Sequence, residues 1–276
     1  MNNDKENELK QLEILLARNM AQITVKILVL SNKGGVGKSS IAVNIAVCLS
    51  KKGAKVGLLD ADMHGPSVAK MLGFEGKKLI IEENGISPFS VNPNLVAVSM
   101  ACFLENSDAP VIWRGPLKMS ALRQFLAEVN WGKLDYLIID SPPGTGDEPL
   151  SVCQLVRDLT GAIIVTTPQD IALLDSRKCV NFLRQLSTPI IGILENMSGL
   201  SCPYCGKNID IFKSGGGEKA AKELNIPFLG KVPFDPRIVE SADNGQTFIE
   251  LYPDSEATKC IENICSSIDE KIKGKE

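Results

Sequence analysis

The chain has no run approaching the roughly 18 consecutive apolar residues of a membrane span. Its opening, MNNDKENELKQLEILLARNM, is charged from Asp4 onward and has no apolar core followed by a small-residue cleavage site, so it does not read as a signal peptide. Net charge is nearly lacking: 30 Lys and Arg against 33 Asp and Glu leaves −3. That balance gives no bulk positive field to gather nucleic acid or anionic lipid, which argues against generic DNA binding and leaves room only for a local basic patch. Histidine is reduced to one residue, His64, and a lone loop histidine is more simply a surface hydrogen-bonding group than a catalytic base. Cysteine is too thin for a disulfide scaffold, with 8 in 276 residues at uneven spacing. Only Cys202 and Cys205 lie close together. The expectation is a cytoplasmic protein in a reducing compartment, with neither membrane nor nucleic acid among its partners.

What is present is an ordinary globular composition, 44% hydrophobic and 23% charged. At about 150 residues per domain the length leaves room for nearly two domains. The pattern argues for one. Strands are expected at 25–30, 56–62, 95–100, 134–140, 161–168, 189–196 and 227–233, with helices at 38–53, 116–131 and 254–273. The strands are continuously apolar, as in a sheet buried on both faces, and they alternate with helices, as in parallel βαβ units. The expected fold class is therefore α/β: one domain over 23–276, built on a mostly parallel sheet with helices on both faces. Residues 1–22 read as a short helix or a loose tail.

After the first strand comes SNKGGVGKSS, residues 31–40. Gly34, Gly35 and Gly37 let the backbone curl so that successive N–H groups, including those of Val36 and Ser40, face an anion, and the following helix adds its positive end. Lys38 would reach the β- and γ-phosphates of a nucleotide, and the Ser39 hydroxyl would ligate Mg²⁺. The pattern G-x-x-x-x-G-K-[ST] wants glycine where Asn32 stands, and asparagine tolerates a left-handed backbone. A glycine-rich turn with no ligand is the plain alternative.

Two further strand ends carry acids. LLDADMHG puts Asp60 and Asp62 at the edge where open α/β sheets bind ligands, both on one side of the strand because side chains repeat every two residues. One can orient an attacking water while the other supports Mg²⁺; two solvated acids are the alternative. LDYLIIDSPPGTGD ends an apolar strand at Asp140, the shape of a Walker B strand whose acid holds Mg²⁺ through water, and the turn Ser141–Asp147 would sense the γ-phosphate.

In SGLSCPYCGKNIDIFKSGGGEKAA, C-P-x-C-G is a metal knuckle with soft thiolate ligands suited to Zn²⁺ or an iron–sulfur cluster. A tetrahedral site or cubane cluster needs four thiolates and the loop supplies two. Cys48 and Cys179 fall in helical patterns, Cys153 near a helix start and Cys102 just after a strand, while Cys260 and Cys265 are off the i, i+4 spacing. None completes the set. A twofold homodimer would supply the missing pair.

Lys33, just ahead of the glycines, resembles the signature lysine of the deviant Walker A ATPases, the MinD, ParA and nitrogenase iron-protein group. That resemblance implies a lysine reaching across a dimer to the partner's nucleotide, places the catalytic aspartate at Asp62 with Asp60 in support, and implies adenine contacts at Asn196, Pro233 and Asp235. More narrowly, KGGVGKSS, DADMHGPS, DSPPGTGDEPL, ENMSGLSCPYCG, IDIFKSGGGEKAA and VPFDPRI occur in the order of the Mrp-type ATPases, over residues 23–250 or so. This similarity implies an ATP-hydrolysing iron–sulfur carrier whose [4Fe–4S] cluster bridges two subunits through Cys202 and Cys205 and passes from cluster donors to apoproteins. Residues 1–22 hold no cysteine, so the N-terminal four-cysteine site of some relatives is not expected. Structural zinc or a redox disulfide at the knuckle stays open. The competing reading is a MinD/ParA-like positioning switch that dimerises on ATP and carries a structural zinc knuckle. A small-molecule kinase is a further reading, but the chain shows no acceptor site or arginine-rich lid for one. Ile261, Ile264, Ile268 and Ile272 form a stripe on the last helix, expected to pack on the domain rather than on lipid because acids share the helix.

Overall fold

The computed structural model describes residues 2–63, 65–82, 85–103, 115–169, 172–201, 208–209 and 214–274. Helix α1 (Asn2–Ala21) leads into β1 (Ile23–Leu30), α2 (Lys38–Lys51), β2 (Val56–Asp60) and the short α3 (Val68–Met71). An antiparallel pair, β3 (Ile80–Glu82) and β4 (Gly85–Ser87), precedes β5 (Phe89–Asn92) and β6 (Leu95–Ser99). Next come α4 (Gly115–Glu128), β7 (Leu134–Asp140), α5 (Asp147–Leu155), β8 (Gly161–Thr166), α6 (Ala172–Gln185) and β9 (Ile190–Glu195). The short pair β10 (Leu200–Ser201) and β11 (Asn208–Ile209) is followed by α7 (Gly216–Leu224), β12 (Phe228–Lys231), α8 (Pro236–Asp243), α9 (Phe248–Leu251) and α10 (Glu256–Lys273).

Eight strands form one sheet in the order β12-β9-β8-β1-β7-β2-β6-β5. Every pairing in it is parallel except the edge pair β5–β6, a turn-linked antiparallel addition that the parallel-strand reading did not anticipate. Because side chains alternate along a strand, β1 feeds two cores at once. Leu28 and Leu30 join one apolar cluster with α1, α4, α5, α6 and α7. Ile27 and Val29 join another with α2, α3, α9 and α10. This double burial explains why the strands are apolar without alternation.

The N-terminal residues form a full helix, docked through buried Leu16 and Met20. Asn19 Nδ2 fixes its end by donating to the carbonyls of Ala127 (2.6 Å) and Val129 (3.2 Å). At the other terminus Ser255 caps α10 by accepting from Thr258 N. Ile261, Ile264 and Ile268 are buried in the second core and Ile272 packs at its margin. At about 1.5–3 kcal/mol per buried isoleucine this stripe belongs to the domain. Among the described residues no helix is long and apolar enough to cross a membrane.

One boundary moves a site residue. Strand β2 stops at Asp60, not at residue 62, so Asp60 and Asp62 do not share a strand face. The Asp60 carboxylate accepts from the N–H of Asp62 (3.1 Å), which bends the chain out of the sheet at that point.

Candidate functional site

The site forms where β1, β7 and β2 end together. Register pairs Asp60 with Asp140 across β2 and β7, and Val29 with Asp140 across β1 and β7. The carboxylates therefore stand beside the first residues of the loop that follows β1. That loop ends in Gly37, which begins α2 with φ 78° and has no space for a side chain: a Cβ there would lie 2.3 Å from Asn196 Nδ2. Gly35 has the same left-handed φ. Glycine is required at both positions.

Asn32 is a correction. Among the described residues the non-glycine positions with positive φ are Asp158, Ser187, Met197 and Asn225, so Asn32 does not take the left-handed backbone that the sequence suggested. Its side chain does the work: Nδ2 donates to Asp175 Oδ1 at 2.8 Å. The other oxygen of Asp175 takes Lys33 Nζ, also at 2.8 Å. Asp175 sits on α6, 143 residues from Asn32, and sequence reasoning missed it because a helical acid resembles any solvated one. Ser31 Oγ adds a local bond to the Lys33 carbonyl, and the N–H of Gly144 in the turn after β7 donates to the Ser31 carbonyl.

Lys38 lies buried and forms an ion pair with Asp140, while its Nζ is 3.3 Å from Ser39 Oγ. Burial pushes the Asp140 carboxyl above its ordinary range, and the Lys38 charge opposes that shift. Asp140 Oδ2 is buried with no hydrogen-bond partner among the described residues. A carboxylate oxygen without a partner, near the Ser39 hydroxyl and behind a phosphate loop, suits the Mg²⁺ of a nucleotide, which prefers carboxylate, hydroxyl and water ligands.

Asp60 is fully buried and accepts from the N–H groups of Asp62 and Val68 and from the Ser99 hydroxyl. Burial, and then the nearby Asp140 charge, raises its pKa to about 7. Asp60 thus organises the turn that carries Asp62. Asp62 Oδ1 accepts from Gly65 N at 3.1 Å. His64 lies outside the described residues.

On the other flank, Asn196 follows β9 and donates from Nδ2 to the Val36 carbonyl at 2.9 Å, tying the strand end to the phosphate loop. The Ser40 carbonyl is used within α2 by Asn44. Asp235 caps α8 and grips Arg237 with both oxygens (2.9 and 2.7 Å). Its loop is held near Asn196 by the Phe234 N–H, which donates to the Gly199 carbonyl. Asn196 thus touches the phosphate loop, and the Pro233–Asp235 loop lies against the turn that follows Asn196. A cavity of about 370 Å³ opens beside the loop, lined by Asn32, Lys33, Val36, Thr167, Asp175 and Met197 among others.

Cys202 and Cys205 lie outside the described residues. The chain on either side of them is described: Ser201 pairs with Asn208 and Leu200 with Ile209, antiparallel. The other six cysteines are free. Burial pushes the thiols of Cys102 and Cys153 up to about 11 and that of Cys179 to about 12, which keeps them protonated and poor metal ligands. Cys48 and Cys265 hydrogen-bond to each other in the second core.

This architecture, with a glycine loop opening α2 and acids ending β2 and β7, defines the class: a P-loop nucleoside triphosphatase of MinD/ParA type. MinD from Pyrococcus horikoshii, solved with Mg-ADP, shares the fold with a TM-score of 0.65 at 22% identity, over 89% of this chain and 96% of its own. A nucleotide-binding protein from Archaeoglobus fulgidus, solved with ADP and containing Co, is nearer, with a TM-score of 0.76 at 35% identity over 85% of this chain and 92% of its own. Residues 22–269 match the family model ParA, described as NUBPL iron-transfer P-loop NTPase, and the chain belongs to that family. It is 48% identical over 272 residues to the iron-sulfur cluster carrier protein of Methanocaldococcus jannaschii, covering 99% of this chain and 93% of that protein. The carrier protein of Saccharolobus solfataricus is 46% identical over 261 residues, 95% of this chain and 88% of that one.

Proposed function

We propose that the chain is an ATP-hydrolysing carrier of iron–sulfur clusters that works as a homodimer in the cytoplasm. Cys202 and Cys205 of two copies would hold one [4Fe–4S] cluster as cargo, taken from a cluster donor and handed to apoproteins. The observation that carries this reading is an adjacency. Strand β9 ends at Glu195, the next residue Asn196 touches the phosphate loop, and six residues further along the chain stands Cys202.

In this reading the backbone N–H groups from Gly34 to Ser40 and the Lys38 ammonium cradle the ATP phosphates. Ser39 and Asp140 hold Mg²⁺, which when bound neutralises charge on the β- and γ-phosphates. Nucleotide binding draws Lys38 off Asp140 toward the phosphates. Asp62, presented by the turn that Asp60 organises, orients the water that attacks the γ-phosphorus. Lys33 leaves Asp175 and reaches the nucleotide of the second copy, so hydrolysis requires the dimer. Asn196 and the Pro233–Asp235 loop receive the adenine.

The test is anaerobic reconstitution with iron and sulfide followed by metal analysis and spectroscopy. The expected product is brown, with about four irons per dimer. Cys202→Ser with Cys205→Ser should abolish it. A colourless protein that takes up zinc alone would favour the positioning switch with a structural knuckle.

A further inference from the structure

Glu195, the last residue of β9, is fully buried and belongs to neither the phosphate loop nor the cysteine pair. Three donors converge on its carboxyl group. Oε1 accepts from the Ser198 hydroxyl and from Gly215 N (2.9 Å), and Oε2 accepts from Gly217 N (2.6 Å). Ser198 Oγ also lies 3.1 Å from Ser214 Oγ. Ser198 precedes Cys202 and Cys205, and Ser214–Gly217 follows them. One side chain therefore joins a residue that precedes the cysteine pair to residues that follow it in the chain.

The run SGGGEKAA, which nucleotide handling leaves unexplained, is built for this grip. Gly215 takes φ 93°. A Cβ on Gly216 would lie 2.4 Å from the Pro168 carbonyl oxygen, and one on Gly217 would lie 3.0 Å from Glu195 Cβ. Only a bare backbone brings the start of α7 onto the carboxyl group, where the helix N-terminus favours an anion.

The next residue faces the other way. Asn196 donates to the Val36 carbonyl of the phosphate loop, and its amide nitrogen would collide with any side chain at Gly37. Met197 then holds φ 58°, unusual for a non-glycine residue and a sign that the surroundings fix this turn. Residues 195–198 thus form a short, over-determined link with the nucleotide loop on one side and, on the other, residues that precede and follow the cysteine pair in the chain.

We infer that Glu195 is the positioning residue that transmits nucleotide state from the phosphate loop, through Asn196, to the thiols of Cys202 and Cys205. The inference rests on the carrier reading for its purpose, yet its test needs no cluster. The probe is iodoacetamide. Its rate of reaction with Cys202 and Cys205 is measured in the cluster-free, full-length protein with Mg-ATP and with Mg-ADP, the Cys202→Ser/Cys205→Ser variant supplying the background from the other thiols.

In the unaltered protein the two rates should differ by about fivefold or more, the lower end of ordinary coupling between sites. In Glu195→Gln the amide group turns a donor toward one of the glycine N–H groups. The ratio should fall to within about twofold of unity while ATP affinity stays within about threefold. Ser198→Ala, which removes only the contact ahead of the cysteine pair, should lower the ratio partway and decides the matter if Glu195→Gln does not fold. A folded, ATP-binding Glu195→Gln or Ser198→Ala protein with the full ratio would overturn the inference, as would equal rates in the unaltered protein. If reconstitution fails while the ratio behaves as stated, the carrier reading falls and the coupling stands.

Discussion

Asp175 holds two consecutive phosphate-loop side chains at once, accepting from Asn32 Nδ2 on one oxygen and pairing with Lys33 Nζ on the other, each at 2.8 Å. The lysine proposed to serve the second subunit is thereby engaged within its own chain. Its side chain is 46% exposed, so the pair contributes only about 0.2–1 kcal/mol and acts as a light restraint. Asp175→Asn should leave ATP binding intact and tighten ATP-dependent dimerisation by a few-fold, about threefold at that energy. Lys33→Ala should remove ATP-dependent dimerisation and lower phosphate release at least about tenfold. Sedimentation and phosphate-release assays on the two variants check this, and equal behaviour of both would contradict it.

The buried pair of Lys38 and Asp140 behaves differently. Removing one partner leaves the other buried without its counter-charge. Lys38→Met should abolish ATP binding and destabilise the nucleotide-free protein by about 3–5 kcal/mol. Adding Asp140→Leu to it should recover most of the stability and none of the binding. Denaturant unfolding and nucleotide titration separate the two effects.

Asp60 gives the nucleotide-free protein a pH signature. Its folded pKa of about 7 lies above the unfolded carboxylate value of about 3.9, so between those limits the folded state binds more protons than the unfolded chain. Its contribution to stability is therefore fully present below about pH 4 and is lost as pH rises through about 7. Asp140, shifted the same way by burial, adds to the trend. Urea midpoints should decrease as pH rises from about 4 to about 7, and Asp60→Asn should flatten that slope. A slope unchanged by Asp60→Asn would contradict the assignment.

Gly37→Ala should cost ATP affinity at least tenfold, because the new Cβ meets Asn196 Nδ2 at 2.3 Å in a left-handed backbone that alanine resists. Isothermal titration checks it, and native affinity in the variant would show that the loop relaxes freely.

Which parts of this site were legible follows from how local their causes are. The phosphate loop could be read because its glycines, lysine and serine act on backbone within a few residues. Asp140 could be read because an apolar strand points straight at it. Asp62 was set on a strand because its spacing from Asp60 matched the two-residue repeat, and the turn made by the Asp60 carboxylate is invisible to that rule. The residue type of Asn32 suggests a backbone role, whereas its partner is a side chain 143 residues away. Glu195 escaped notice for a similar cause: its donors at Gly215 and Gly217 lie 20 and 22 residues on, beyond the cysteine segment.

The most direct test of the account is transfer itself. The anaerobically reconstituted dimer is mixed with an apoprotein that requires a [4Fe–4S] cluster, and recovery of that protein's activity is followed with Mg-ATP, Mg-ADP and no nucleotide. The account predicts transfer by the unaltered protein at a rate that depends on the nucleotide, and none by Cys202→Ser/Cys205→Ser. Native-level transfer by the double variant would contradict it.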